Sequence, residues 1–231
     1  MRVLGIETAT GVASIGVVAD DVVIERRRAV AASHARELLA LIDDSLAAAG
    51  TALCAIDLVA VSIGPGSFTG LRIGLSVAKG LAFANGLPII GVSTLEAYAA
   101  SLGSRPGWIW PVLDARKGEV YAAGFRWSGE TMRCVAAPSV IEAAAFAARL
   151  EAPCLVLGDG VDTYAEIWAA AAASPFESRR LAEAPPSGVS VARLGAFGVG
   201  TGGAADLAAL EPAYCRRPDA ERNAGVVVSA R

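Results

Sequence analysis

Histidine is nearly absent from this 231-residue sequence, which contains a single one, His34. Zinc sites built from two or three histidines are therefore excluded. The four cysteines offer no substitute, because no two of them form a C-x-x-C pair. A Ser-His-acid relay would have to use His34, yet the chain contains no G-x-S-x-G elbow. Hydrolysis that depends on a metal or a triad is thus disfavoured, and no metal site is predicted.

Aromatic residues, long apolar runs and excess charge are also scarce. Only 6% of the residues are aromatic although 54% are hydrophobic, so much of the apolar content is small, which favours helix-rich packing. No run approaches the roughly 20 apolar residues of a membrane span. The opening MRVLGIET resembles a strand and not a signal peptide. We therefore expect a cytoplasmic chain whose cysteines are reduced and mostly buried.

The net charge of −3 gives no general attraction for nucleic acid. The triplet Arg26-Arg27-Arg28 fits a solvated strand edge better than an RNA contact. Direct binding of RNA is therefore not predicted from charge.

Hydrophobic periodicity predicts two successive series of elements in the same order. The first series has strands at 3–7, 14–19 and 22–28, a helix at 33–49, a strand at 58–63, a second helix, a strand at 88–92 and a helix at 94–102. The second has strands at 108–113, 119–127 and 131–136, a helix at 140–150, a strand at 154–157 and a helix at 163–173. An irregular stretch at 174–187 and a helix at 190–198 follow.

The Gly/Ser/Pro-rich segment at 103–107 separates the two series. We place the domains at 1–105 and 106–231. The sequence thus predicts two similar α/β halves, each a mixed sheet with βββαβα order and flanking helices, packed across a cleft.

Phosphate binding is one hypothesis for the glycine-rich segment that follows the strand at 58–63. Its glycines, in the string GPGSFTG from Gly64, do not match G-x-G-x-x-G, and no Lys-Ser/Thr follows as a P-loop requires. Pro65 lacks an N–H and Phe68 adds bulk, although the amides of a helix start still attract anions. The string at 198–203 does match, but it follows a helix pattern where a strand is required.

Better-placed candidates for nucleotide contacts follow two other predicted strands. These residues are Glu7, Thr8 and Thr10 after the first strand, and Gly158 and Gly160 after the strand at 154–157. Both segments would face a cleft between the halves, but both are too short to be specific.

A ridge of small residues marks the helix that begins near Phe68. Gly70, Gly74, Ala78 and Ala82 recur every fourth position and so lie along one side of the helix. Glycine inside a helix costs up to about 1 kcal/mol relative to alanine, so Gly74 indicates a close contact. Two interpretations stay open: the ridge contacts a partner helix, or it packs on the chain's own sheet or first helix.

The string GPGSFTGLRIG followed by AKGLA resembles the TsaB (YeaZ) family, the dimerisation subunits of the bacterial machinery that makes threonylcarbamoyladenosine in tRNA. The resemblance extends to VLGIETAT, SHARELL, GVSTLEA, DARKGEVYAA and LEPAYCR. It implies an actin-like fold of the Hsp70 and sugar-kinase (ASKHA) type, with two RNase-H-like halves, in agreement with the doubled element order.

The resemblance also implies a non-catalytic chain without a cofactor. The family's catalytic paralogue, TsaD, carries a metal-binding H-x-x-x-H whose positions correspond here to Thr94 and Tyr98. Glu7 replaces the usual aspartate, Cys215 replaces a leucine in the closing motif, and the second half is short. These departures disfavour autonomous ATP hydrolysis, and the M22 peptidase label is rejected. The alternative is an autonomous actin-fold kinase or ATPase for a small molecule.

By the same resemblance, the chain would pair with TsaD through its first two helices. TsaE would join the assembled complex, and tRNA would be bound only through that complex. The same apolar ridge would serve a homodimer when TsaD is missing, and the sequence does not decide between the two pairings. The predicted interface residues are His34, Leu38, Ile42, Gly70, Arg72, Gly74, Val77, Ala78 and Leu81. We expect Gly74→Leu to abolish pairing while this chain stays folded.

Overall fold

The structure is a computed structural model that describes residues 1–29, 35–171, 177–179, 183–200, 206–213 and 215. The strands are β1 Arg2–Glu7, β2 Val12–Ala19, β3 Val22–Ala29, β4 Leu58–Gly64, β5 Ile89–Ser93, β6 Trp108–Asp114, β7 Glu119–Ser128, β8 Thr131–Glu142, β9 Cys154–Leu157 and β10 Glu177–Arg179. The helices are α1 Ala35–Ala48, α2 Phe68–Asn85, α3 Thr94–Ser101, α4 Ala143–Ala147, α5 Asp159–Thr163, α6 Ala165–Ala170 and α7 Gly188–Gly200, with a 3-10 turn at Leu53–Ala55.

The strands form two five-stranded sheets with one shared topology. The first has the order β3-β2-β1-β4-β5, and the second has the equivalent order β8-β7-β6-β9-β10. In each sheet the first three strands pair antiparallel, and the last two join in parallel. The prediction of two similar mixed α/β halves is therefore confirmed.

The second half departs from its predicted elements in three places. The helix predicted at 140–150 is only Ala143–Ala147, because β8 keeps pairing with β7 as far as Glu142. The helix predicted at 163–173 is split into α5 and α6 at Tyr164, whose backbone (φ −115, ψ 36) is not helical. The stretch predicted to be irregular contains β10, which pairs with β9.

Helix α7 crosses from the second half of the sequence onto the first sheet. Its buried residues Val191 and Ala192 pack against β1, β4 and β5. Gly16 allows this approach, since a Cβ atom there would overlap the backbone of Gly188 and Val189. The strands divide near the predicted boundary, but the range 106–231 also supplies a helix to the first half's core.

Glu25 of the edge strand β3 anchors the start of α7. Its Oε1 accepts hydrogen bonds from the Ser14 hydroxyl at 3.2 Å and from the Val189 N–H at 3.3 Å. Arg27 pairs with the Glu25 carboxylate and donates to the Pro186 carbonyl at 2.9 Å. The carboxylate thus meets the unpaired N–H groups and the positive end of the helix dipole.

Glu25→Ala is expected to lower the free energy of unfolding by about 1 to 2 kcal/mol, because a helix start loses a charged acceptor. Urea denaturation followed by circular dichroism measures this. Arg26→Ala, on the exposed neighbouring position, serves as the control. Equal midpoints for the two variants would contradict an anchoring role for Glu25.

The cysteines correct one expectation. All four are free, but Cys54, Cys134 and Cys215 are exposed and only Cys154 is buried, so the expectation of mostly buried thiols is wrong. Across the described ranges, no helix has the length and apolarity needed to cross a membrane.

Candidate interface helices and cleft

Helix α1 turns the predicted contact residues Leu38 and Ile42 inward. Both belong to the first core, at 5% and 1% exposure. Its exposed side carries Leu39, Asp43 and Ala47 instead. His34 lies outside the described residues. A partner that binds α1 therefore meets the side opposite to the residues predicted for contact.

Helix α2 is framed by a cap at each end. The Ser67 hydroxyl accepts the Gly70 N–H at 3.2 Å, and Gly86 ends the helix with a left-handed backbone (φ 63). The preceding turn is held against the loop after β1, since the Ser67 N–H donates to the Ala9 carbonyl at 2.7 Å. That amide is used by the chain itself, which argues further against an anion loop here.

The predicted ridge of small residues packs on the chain itself. The Thr8 hydroxyl donates to the Gly70 carbonyl at 2.9 Å, and a Cβ atom on Gly74 would overlap the Thr8 side chain. Ala78 and Ala82 are buried in the same core. In the isolated chain the ridge therefore serves intrachain packing, which is the second of the two interpretations left open.

The other predicted interface residues of α2 divide between core and surface. Val77 is buried and Leu81 is half-buried. Arg72 is exposed, with its guanidinium carbon 3.9 Å from the centre of the Phe68 ring. Their contact with a partner stays a prediction. The structure argues against the expectation that Gly74→Leu leaves the chain folded, because a Cβ atom at this position would overlap the Thr8 side chain.

A second ridge of α2, which sequence spacing did not single out, faces solvent. Arg72, Ser76, Gly80 and Ala84 also recur every fourth position, and all four are exposed. Beyond its own helical turns, no atom of the described residues lies within 4 Å of a Cβ atom built on Gly80. Intrachain packing therefore gives no reason for this helix-interior glycine, which costs up to about 1 kcal/mol relative to alanine. Phe83, next to this exposed ridge, is 81% exposed.

The cleft residues after β1 are buried. Glu7 is fully buried; its Oε1 accepts the Ala9 N–H at 2.6 Å, and its Oε2 has no hydrogen-bond partner among the described residues. Burial raises the pKa of Glu7 to about 7. Thr8 and Thr10 are also buried, at 6% and 7% exposure. These three side chains line the closed interior and present no open nucleotide surface.

The second half also has buried carboxyl chemistry at the end of its first strand, where Asp114 and Asp159 lie together. Asp114 ends β6 as Glu7 ends β1, and its N–H donates to Oδ1 of Asp159 at 2.9 Å. Tyr164 donates to Oδ1 of Asp114 at 2.8 Å. Burial is the main cause that raises the pKa of Asp159 to about 6. The charge of Asp159 also acts on Glu7, so the two halves meet at these carboxyl groups.

Gly158 and Gly160 pack closely on β6. A Cβ atom on Gly158, whose φ is +115, would overlap the Val112 carbonyl, and one on Gly160 would lie 3.0 Å from it. Both glycines are buried. Their glycine identity is thus explained by packing, and nucleotide contact at these positions stays a prediction.

Thr94 and Tyr98, at the positions that the resemblance aligns with a metal-binding histidine pair, are buried in α3 at 0% and 1% exposure. In the part of the chain that the structure describes, their side-chain oxygen atoms have no hydrogen-bond partner. Within the described ranges, no three His, Cys, Asp or Glu residues are grouped so that they could hold a metal ion. The sequence motif did not reveal that Tyr98 and Asp159 both lie within electrostatic reach of Glu7.

Comparison with known proteins agrees with the motif resemblance. The family model described as TsaD, tRNA N6-adenosine threonylcarbamoyltransferase, matches residues 26–224. The tRNA threonylcarbamoyladenosine biosynthesis protein TsaB of Escherichia coli is 38% identical over 61% of this chain and 64% of that protein. TsaB of Bacillus subtilis is 34% identical over 55% of this chain and 56% of that protein. The matches thus span less than two thirds of these relatives.

The solved structure of YeaZ from Pseudomonas aeruginosa superimposes with a TM-score of 0.76 at 26% identity, covering 92% of this chain and 99% of that one. The predicted resemblance to TsaB (YeaZ), with its actin-like fold, is therefore confirmed.

Proposed function

Because this chain belongs to the TsaD family of tRNA N6-adenosine threonylcarbamoyltransferases and within it resembles TsaB, we propose that it is the non-catalytic subunit that pairs with TsaD. In that role it supports TsaD in the synthesis of threonylcarbamoyladenosine at position 37 of tRNA. TsaE joins the assembled pair, tRNA is bound only through the complex, and the assembly is cytoplasmic.

The main support for this proposal is the identity of two residues, Thr94 and Tyr98. A metal-dependent transferase site at these positions would need imidazole ligands, but a hydroxyl and a phenol are found there, buried in α3. Neither oxygen is a ligand of the kind that a histidine pair supplies. This supports a subunit that lacks the chemistry of its paralogue.

The exposed sides of α1 and α2 support pairing. Leu39 of α1 is 41% exposed, and Phe83 of α2 is 81% exposed. Gly80 adds backbone without a side chain on the exposed side of α2. Exposed apolar and small residues on two packed helices suit another helix pair, since small residues permit close backbone approach. We therefore assign the interface to Leu39, Asp43, Ala47, Arg72, Ser76, Gly80, Phe83 and Ala84.

Reconstitution tests the proposal. Purified TsaD and TsaE are incubated with tRNA, threonylcarbamoyl adenylate and ATP, with and without this chain, and modified adenosine is measured by mass spectrometry. We expect product only when the chain and TsaD are both present. The chain alone is expected to make none.

The purified chain also tests the alternative function. Turnover of Mg-ATP by the isolated chain, with a small-molecule phosphoryl acceptor, would support an autonomous actin-fold kinase or ATPase. Full tRNA modification in the absence of the chain would reject the proposed role.

A further inference from the structure

Unpaired polar atoms are buried where the two halves meet. They are Oε2 of Glu7, Oγ1 of Thr94 and the hydroxyl of Tyr98, on residues of at most 1% exposure. A buried polar atom without a partner costs about 1 to 3 kcal/mol, and a buried unpaired charge costs more. The closed arrangement therefore favours an uncharged Glu7.

All three atoms lie on elements of the first half, but Tyr98 packs among core residues of the second sheet, such as Ile109 and Leu113. Glu7 ends β1 of the first sheet, and Asp159 begins α5, which packs on β6 and β9 of the second. Tyr98 lies on α3, which contacts β4 and β5 of the first sheet and β6, β7 and β8 of the second. Any change in the angle between the halves must therefore alter the surroundings of Glu7.

We propose that the cleft is a proton-linked closure, in which Glu7 keeps its proton while the halves are closed and releases it when they separate. When the halves separate, water reaches Oε2 and Asp159 moves away. Ionisation of the Glu7 carboxyl then costs less free energy. The proton passes from the Glu7 carboxyl to solvent, and no other group changes its covalent state. Cleft closure would then depend on pH near neutrality.

The charged groups around Glu7 favour this balance. Asp159 of α5 opposes ionisation of Glu7, and Tyr98 of α3 is the titratable neighbour on the other side. Of the nearby cations, Arg27 of β3 acts on Tyr98, and Arg116 after β6 acts on Asp159 together with Asp114. Because these cations act on Tyr98 and Asp159, the Glu7 carboxyl is neutralised by binding a proton.

The direction of the pH effect follows from the raised pKa. The carboxyl has an ordinary pKa of 4.5 and a closed-state pKa of about 7. Closure is fully supported below pH 4.5, and this support is lost as the pH rises through about 7. The opening equilibrium should increase on the order of 100-fold between pH 5 and pH 9.

Amide hydrogen exchange of the full chain from pH 5 to 9, corrected for intrinsic rates, measures opening in peptides that cover 5–12 and 112–120. Wild type should lose protection with a midpoint near pH 7, the pKa of the buried Glu7 carboxyl, and Glu7→Gln should lose this dependence. Glu130→Gln, which removes an exposed carboxylate in the turn between β7 and β8, should behave as wild type.

Titration of the Glu7 carboxyl carbon by NMR in the wild-type chain gives a second measurement that needs no variant. A midpoint near the ordinary value of 4.5 would overturn the proposal. An unchanged pH dependence of exchange in Glu7→Gln would also overturn it.

Discussion

Gly74→Leu is expected to destabilise the isolated chain by about 3 kcal/mol or more, in the range of severe overpacking. A Cβ atom at this position already overlaps the Thr8 side chain, and a leucine adds three further carbon atoms. Thr8 cannot move freely, because its hydroxyl donates to the Gly70 carbonyl at 2.9 Å. Helix α2 must therefore shift off β1, or the loop after β1 must unfold.

Chemical denaturation of the isolated chain, followed by circular dichroism, measures this loss. The matched control is Gly80→Leu, which places the same side chain on the open side of the same helix. We expect Gly80→Leu to unfold at or above the wild-type midpoint, because leucine is the better helix former. Similar midpoints for Gly74→Leu and wild type would contradict the packing role of Gly74.

The first half of the fold was accessible from the sequence because its signals are local. Hairpin turns, the continuous apolar run of β4 and the apolar side of α1 each place an element within a few residues of where it lies. In the second half, the pairing of β8 with β7 extends a strand to Glu142, into the segment that was predicted to begin a helix. That extension depends on a partner strand, so periodicity alone did not reveal it.

The site required information that spacing does not contain. Residues spaced by four define two small ridges on α2, and both are compatible with a partner helix. Only tertiary structure shows that the ridge of Gly70 and Gly74 covers Thr8, while the ridge of Ser76 and Gly80 stays open. The full burial of Glu7 likewise depends on tertiary packing, which no local pattern of the sequence encodes.

Gly80→Leu is expected to weaken binding to TsaD on the order of 100-fold or more, since overpacking of a close helix contact costs about 3 kcal/mol. This prediction rests on the proposed pairing. The reason is that Gly80 exposes bare backbone in the middle of α2. Beyond its own helical turns, no atom of the described residues lies within 4 Å of a Cβ atom built there. Copurification on size-exclusion chromatography and calorimetry with purified TsaD measure the loss.

The variant Gly80→Ala distinguishes an effect on partner contact from an effect on helix stability. The alanine adds one carbon and raises helix stability by up to about 1 kcal/mol, so a variant that folds more stably but pairs more weakly would identify close backbone approach as the cause. Phe83→Ser tests the neighbouring apolar contact without added bulk, because this side chain is 81% exposed in the isolated chain. If Gly80→Leu binds TsaD as tightly as wild type while remaining folded, the partner does not lie on the exposed ridge of α2.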